Sequence, residues 1–119
     1  MLAAGAVAAQ CGTAFLRTPE SGAHPAHKDA LADPRFEHTA LTRSFSGRRA
    51  RGLVNRFMLE HADAPAAYPE VNNAIRTIRA AAARRGDVDR MSLWAGEGFR
   101  AARPVAAGEV VDLLCADGA

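Results

Sequence analysis

A polar turn near the start of the chain has the residue types that a phosphate site needs. The turn is Gln10-Cys11-Gly12-Thr13 and follows an apolar run. Gly12 has no Cβ, so its backbone can approach a ligand closely. Thr13 supplies a hydroxyl and an N–H where a predicted strand gives way to a helix, and backbone donors at such a junction suit an anion. An ordinary exit from a strand into a loop has the same pattern, so the residues alone leave both interpretations open.

Other side chains that could carry metal or redox chemistry are sparse. His24 and His27 lie three residues apart on one predicted helix. That spacing could pair them on a metal, but two solvated helix residues are the simpler interpretation. Cys11 and Cys115 are far apart and have no metal-ligand spacing. We therefore expect two free thiols in a reducing compartment and no metal site.

The charge pattern argues against a nucleic-acid-binding module. The only feature that favours such a module is the clustering of arginine at residues 48–51 and 84–85. Over the whole sequence, 15 basic residues are nearly balanced by 13 acidic ones. A nucleic-acid footprint needs a strongly basic domain with its charges on one face. The apolar opening lacks the basic start of a signal peptide, and no stretch approaches the ~20 apolar residues of a membrane helix. A cytoplasmic protein is therefore expected.

Residues 7–11, which lead into the turn and include its first two residues, are predicted to be a short buried β-strand. It is apolar on both faces, as in a parallel sheet covered by helices. Such a strand needs neighbours on both sides, and a parallel neighbour requires a crossover connection that nothing upstream provides. Residues 1–5 look like the last turn of a helix closed by glycine. The economical interpretation is the C-terminal part of a larger α/β protein.

Downstream, the pattern predicts a short two-stranded excursion and four or five helices. Extended segments are predicted at residues 39–46 and 50–53, with a turn between them. The predicted helices cover residues 24–32, 54–61, 70–85 and 107–116, with a further helical turn at 88–92. The 70–85 helix has the clearest periodicity, because Val71, Ile75, Ile78 and Ala82 fall on one face.

A series of blocks, taken in order, resembles the nitronate monooxygenases (2-nitropropane dioxygenase family). The first is Gly5-Ala6-Val7-Ala8-Ala9-Gln10-Cys11-Gly12-Thr13-Ala14-Phe15-Leu16. The others are Glu20-Ser21-Gly22-Ala23-His24, Leu41-Thr42-Arg43-Ser44-Phe45-Ser46-Gly47-Arg48, Ala50-Arg51-Gly52, Asn55-Arg56-Phe57-Met58, Tyr68-Pro69 and Leu93-Trp94-Ala95-Gly96. The resemblance implies an α/β fold, as the C-terminal fragment of an FMN-binding TIM barrel. Residues 1–17 would then be the last barrel strand with its phosphate-binding turn, and residues 18–119 a mostly helical substrate or lid region with the excursion near 39–53.

The resemblance also implies a site. In this family the matching turn binds the FMN phosphate, which assigns cofactor binding to Gln10, Cys11, Gly12 and Thr13. Phosphate sites of TIM barrels commonly follow strands 7 and 8. Cys11 replaces a larger apolar residue, which is tolerable because only its backbone would touch phosphate. Glu97 stands where glutamine is expected, and a carboxylate near phosphate would repel it, so Gly96 and Glu97 are left outside the predicted site.

The implied reaction is the FMN-dependent oxidation of an alkyl nitronate by dioxygen to a carbonyl compound and nitrite. No catalytic residue is predicted in this chain, because the family's catalytic histidine lies upstream of the matching segment. A TIM barrel needs about 200 residues or more, so the chain is expected to be inactive without the missing N-terminal barrel portion. Two alternatives stay open: a relative of the flavin-dependent enoyl-acyl-carrier-protein reductases, and a noncatalytic helical protein from a truncated reading frame. The blocks at 46–48 and 93–96 favour the monooxygenase.

Overall fold

Five α-helices and two short β-strands form the part of the chain that the computed structural model describes, residues 4–116. Two 3-10 helices, Thr13–Phe15 and Phe99–Ala101, connect them. The strands are β1 (Thr39–Thr42) and β2 (Ala50–Leu53). The helices are α1 (Pro25–Ala30), α2 (Arg56–Glu60), α3 (Glu70–Ala74), α4 (Arg76–Arg85) and α5 (Ala107–Ala116).

The two strands form an antiparallel hairpin, which confirms the predicted excursion. Thr39 lies opposite Leu53, and Thr42 lies opposite Ala50. The first strand is shorter than the predicted segment 39–46, because the chain turns after Thr42. The amides of Ser46 and Gly47 both donate to the Arg43 carbonyl and close that turn.

The loop of residues 93–98 extends the hairpin on its β2 side. The Leu53 amide donates to the Leu93 carbonyl at 2.9 Å, and the Ala95 amide donates to the Arg51 carbonyl at 3.2 Å. Gly52 of β2 lies opposite Trp94 in an isolated antiparallel bridge. Backbone bonds therefore fix the path of the 93–98 loop.

Two apolar clusters cover the faces of this three-segment layer. The larger contains Leu31 just after α1, Leu53 of β2 and Leu93, all fully buried. In the smaller, the Phe45 ring stacks on Phe57 with centroids 4.9 Å apart. Burying a large apolar side chain contributes about 1.5–3 kcal/mol, so these few anchors supply much of the stability of an alanine-rich chain.

Side chains from the family-like blocks begin three of the helices. The ring Nδ1 of His24 accepts from the Ala26 amide at the start of α1, and Asn55 Oδ1 accepts from the Met58 amide in α2. The Glu20 carboxylate accepts from the Ala107 amide at the start of α5, with both oxygens within 3.2 Å. Each contact satisfies an amide that a helix leaves unpaired at its first turn. These blocks thus have structural roles.

The predicted 70–85 helix is wrong in its continuity, since it consists of α3 and α4. Ile75, between them, has φ −96° and ψ 3°, outside the α-helical region. The side chain of Arg79 donates to the Asn72 carbonyl and to its Oδ1, at 3.3 and 2.7 Å. A continuous helix would pair that carbonyl with the amide four residues later. The spacing of apolar residues in the sequence could not reveal this side-chain bond to the Asn72 carbonyl.

The predicted buried strand at residues 7–11 is also not observed. Val7 is fully exposed, and no described residue pairs with this segment as a strand. A strand forms only when neighbouring backbone is available to bond it, and residues 4–116 offer none here. The predicted helix end at residues 1–5 lies partly outside the described residues, although Gly5 has the positive φ, +92°, expected of a closing glycine.

None of the helices between residues 4 and 116 combines the length and the apolarity that crossing a bilayer requires.

Candidate functional site

The residues predicted to bind phosphate form one continuous exposed turn, residues 10–13. Gln10 and Gly12 are exposed, and Cys11 and Thr13 are half-buried. The turn leads into the 3-10 helix Thr13–Phe15, in which the Phe15 amide donates to the Gly12 carbonyl at 3.1 Å. Among residues 4–116, the backbone amides of Gly12 and Thr13 donate no hydrogen bond. The turn therefore presents free N–H donors.

The backbone of Gly12 does not explain why glycine stands there. Its φ of −105° and ψ of −53° are accessible to any residue. A Cβ at this position would meet no atom of the described chain within 4 Å. The local fold thus does not require glycine at position 12, and the space beside it is open to a ligand.

The hydroxyl of Thr13 is held by a residue that the sequence prediction left outside the site. The Gly96 amide donates to Thr13 Oγ1 at 2.9 Å, across 83 positions of sequence. The 93–98 loop therefore lies directly beside the 10–13 turn. The only sequence signal for this contact was that both segments are family-like blocks.

His27 fixes the same loop from the side of α1. Its side chain is buried, and its ring Nε2 lies 3.1 Å from the Trp94 carbonyl. A carbonyl only accepts, so Nε2 carries the proton and donates. Burial lowers the pKa of His27 below its usual value, outweighing the opposing effect of the Trp94 hydrogen bond. A neutral histidine thus anchors the loop two residues before Gly96.

The two histidines considered as a metal pair have separate hydrogen bonds. Nδ1 of His24 is engaged by the Ala26 amide, while His27 Nε2 faces Trp94. Within the described range 4–116, no group of three or more histidine, cysteine or acidic side chains could hold a metal ion. Cys11 and Cys115 are both free thiols.

Glu97 carries the charge that was predicted to disfavour phosphate. Its carboxylate pairs with the Arg51 guanidinium at 3.1 Å, and the Glu97 side chain is 76% exposed. Arg51 also donates to the Thr39 carbonyl and hydroxyl, at 3.3 and 3.2 Å. A cation therefore accompanies the carboxylate, and solvent screens both, which reduces the repulsion expected from the sequence.

An apolar cavity of about 150 Å³ opens beside the 3-10 helix that follows the turn. The 3-10 helix Thr13–Phe15, the segment around Ala101 and helix α5 enclose it, with one cation at its edge. Its lining residues are Ala14, Ala101, Arg103, Val110, Leu113 and Leu114. Val111 and Leu114 of α5 are also nearly half exposed. Apolar surface therefore lies beside the 3-10 helix that follows the turn.

Comparison with known proteins places these features in a family. The nitronate monooxygenase family model matches residues 1–117. The chain is 44% identical over 115 residues to a nitronate monooxygenase of Pseudomonas aeruginosa, covering 92% of this chain and 32% of that protein. It is 37% identical over 118 residues to a probable nitronate monooxygenase of Bacillus subtilis, covering 96% and 34%.

A solved structure shows the same arrangement of backbone. The crystal structure of a nitroalkane oxidase from Streptomyces ansochromogenes superimposes with a TM-score of 0.93 and 59% identity, over 97% of this chain and 33% of that one. The chain thus spans about a third of the length of the proteins that it matches. On the match across residues 1–117 and the shared backbone, this chain belongs to the nitronate monooxygenase family.

Proposed function

We propose that this chain is the C-terminal portion of an FMN-dependent nitronate monooxygenase, and that its 10–13 turn holds the FMN phosphate. The intact enzyme would oxidise an alkyl nitronate with dioxygen to a carbonyl compound and nitrite. The observation that carries the proposal is the geometry of the turn. Free amides of Gly12 and Thr13 and the anchored Thr13 hydroxyl border open space in which a Cβ at Gly12 would meet nothing.

The donor set of the turn fits a phosphate group. Backbone N–H groups and a hydroxyl donate to phosphate oxygens without adding charge or needing a flexible side chain. The turn itself has no acidic side chain, and Glu97 nearby is paired with Arg51. Gln10 and Cys11 would contribute backbone contacts, so their side chains can vary. FMN, when bound, would supply the redox chemistry, while these residues bind and orient it.

The exposed apolar surface beside the turn supports the proposal of an incomplete site. Val7 before the turn is fully exposed, and Val111 and Leu114 on α5 are nearly half exposed. Leu114 also lines the apolar cavity together with Ala14 and Leu113, and contiguous apolar surface of this kind marks a place where other protein packs. We place the missing N-terminal barrel portion there, with residues 7–11 completing the barrel as its last strand. The isoalloxazine ring and the catalytic base would then be held outside this chain, and residues 18–119 would form part of the substrate lid.

A chimera tests the proposed function directly. Residues 1–117 would replace the matching third of the Streptomyces ansochromogenes nitroalkane oxidase, which is 59% identical over this region. We expect the purified chimera to carry FMN and to consume oxygen with a nitronate substrate. Changing Gly12→Leu in the chimera should abolish flavin loading, because the new side chain fills the phosphate space. The matched control Gly22→Leu, at another glycine with open surroundings, should load normally.

Four results would contradict the proposal or a part of it. A chimera that folds with native circular dichroism but contains no flavin, or a Gly12→Leu variant that loads fully, would exclude the 10–13 turn from the phosphate site. Oxidation of NAD(P)H with an enoyl substrate, without nitronate oxidation, would favour the enoyl-acyl-carrier-protein reductase alternative. Tight stoichiometric binding of FMN by the 119-residue chain alone would show that the site is complete without the N-terminal portion.

A further inference from the structure

The Thr13 hydroxyl has one hydrogen-bond partner among residues 4–116, and that partner is a donor. The Gly96 amide points its proton at Oγ1, with a nitrogen-to-oxygen distance of 2.9 Å. A threonine hydroxyl has one proton to donate and two lone pairs that accept. The Gly96 bond occupies one lone pair and leaves the proton without an acceptor in the described chain.

We propose that the Gly96 amide is a positioning group that sets the Thr13 hydroxyl as a donor towards the phosphate. A phosphate oxygen accepts, so the hydroxyl must present its proton and not its lone pairs. An N–H fixed against Oγ1 excludes rotamers of the hydroxyl that direct its proton at the loop, and the proton turns outward. The inference rests on the proposed function, because it names how one donor of that same site is prepared.

The loop that carries Gly96 is held firmly enough to do this. Leu93 and Ala95 are bonded to β2, at 2.9 and 3.2 Å, and the Trp94 carbonyl accepts from His27 at 3.1 Å. Three anchors thus immediately precede the Gly96 amide. A donor that is fixed before the ligand arrives loses little conformational entropy on binding, which is the advantage of preorganisation.

The arrangement also couples the two hydrogen bonds. When the hydroxyl donates to an anion, its oxygen gains electron density and becomes a better acceptor. The bond from the Gly96 amide then shortens, and the chemical shift of the Gly96 amide proton moves downfield. A threonine with only a packing role would not transmit ligand binding in this way.

Nuclear magnetic resonance on the full 119-residue chain tests the inference. Inorganic phosphate and FMN are titrated into the wild type and into Thr13→Val, Thr13→Ser and Thr77→Val, with riboflavin as the probe without phosphate. The measured quantities are the dissociation constant, the chemical shift of the Gly96 amide proton and its rate of hydrogen exchange. Thr77 lies exposed on α4, so Thr77→Val is the matched control.

We expect weak phosphate binding by the wild type, with a downfield shift of the Gly96 amide proton. Thr13→Val should weaken that binding about tenfold or more, the range for a hydrogen bond to a charged group, and abolish the shift. It should also speed hydrogen exchange at Gly96 about fivefold or more, because the amide loses its acceptor. Thr13→Ser should restore all three readouts, and it keeps the test decisive if the valine variant unfolds.

The outcomes separate this inference from the proposed function. If the wild type binds phosphate and Thr13→Val binds it equally well, or if the Gly96 proton does not respond to phosphate, the positioning role is overturned and the phosphate site stands. If neither phosphate nor FMN perturbs the 10–13 turn in the wild-type chain or in the chimera that restores the N-terminal portion, the proposed site fails, and the inference fails with it. Binding of riboflavin equal to that of FMN would place the ligand contact away from the phosphate.

Discussion

Gly52→Ala is the substitution that most directly disturbs the support of the candidate site. Gly52 lies in β2 opposite Trp94. A Cβ at this position would lie 2.8 Å from the Leu93 carbonyl oxygen and 3.2 Å from Trp94 Cε3. Both atoms belong to the 93–98 loop, and the closer one is backbone that cannot rotate away. The loop would have to move off the strand by several tenths of an ångström.

The expected magnitude combines two opposing effects. Overpacking of a well-packed region typically destabilises by about 1–3 kcal/mol. In the opposite direction, alanine lowers the conformational entropy of the unfolded chain, which stabilises the folded state by about 0.4–1 kcal/mol where the backbone is unstrained. The Leu53–Leu93 hydrogen bond of 2.9 Å lies beside the clash and would lengthen. We therefore expect a net loss of about 1–2 kcal/mol in the free energy of unfolding.

Urea denaturation measures this loss, and amide exchange locates it. Gly108→Ala is the matched control, because a Cβ on this α5 glycine meets nothing within 4 Å and alanine favours a helix by about 0.5–1 kcal/mol. Exchange at the Gly96 amide should quicken in Gly52→Ala and stay unchanged in Gly108→Ala, because only the first displaces the loop.

Equal stability of the two variants would refute the reasoning for Gly52. It would show that the loop gives way without loss, and that the close contact with Leu93 does not hold it against β2. If Gly52→Ala is destabilised but exchange at the Gly96 amide is unaltered, only the second part of the reasoning is contradicted. The clash would then be real, but the loop's position at Trp94 would not determine the contact with Thr13.

Three further predictions concern other parts of the fold. Gly47→Ala should lower the free energy of unfolding by about 3 kcal/mol or more, because its φ is +83° and the added Cβ would overlap the Ala67 carbonyl. Gly86→Ala has the positive φ of +62° without such an overlap and should lose about 1–2 kcal/mol. Urea denaturation measures both losses. Burial lowers the pKa of His27 in the folded state, so the unfolded state binds more protons near and below pH 6.5, and stability should fall as the pH drops through that value. In thermal melts at several pH values, His27→Gln should flatten this dependence of stability on pH. The control His38→Gln, at an exposed position, should leave the dependence unchanged. Asn55→Ala should cost about 3 kcal/mol by chemical denaturation, because the buried Met91 carbonyl and the partly buried Val88 carbonyl lose their donor at 2.8 Å and helix α2 loses its cap. A loss under about 1 kcal/mol would contradict this account.

Much of the local structure followed from the sequence because its causes lie within a few residues. The hairpin was predicted from two extended segments and the turn between them, and its pairing of Thr39 with Leu53 agrees. Helix α5 runs over Ala107–Ala116 as its apolar spacing predicted. The family was recognised from ordered blocks, and its match over residues 1–117 confirms it. The 10–13 turn was singled out by residue type, and its cofactor role stays a prediction.

Tertiary structure decided the features that depend on distant partners. The break at Ile75 accompanies a side-chain bond from Arg79 to the Asn72 carbonyl, which no helical periodicity reveals. Gly96 meets Thr13 across 83 positions of sequence, because the hairpin and α1 together carry its loop to the turn. A strand likewise depends on the backbone beside it, so residues 7–11, predicted as a buried strand, are unpaired in the described chain and, apart from half-buried Cys11, exposed. Residue type thus predicted which groups could bind an anion, and only the fold decided which amide holds the Thr13 hydroxyl.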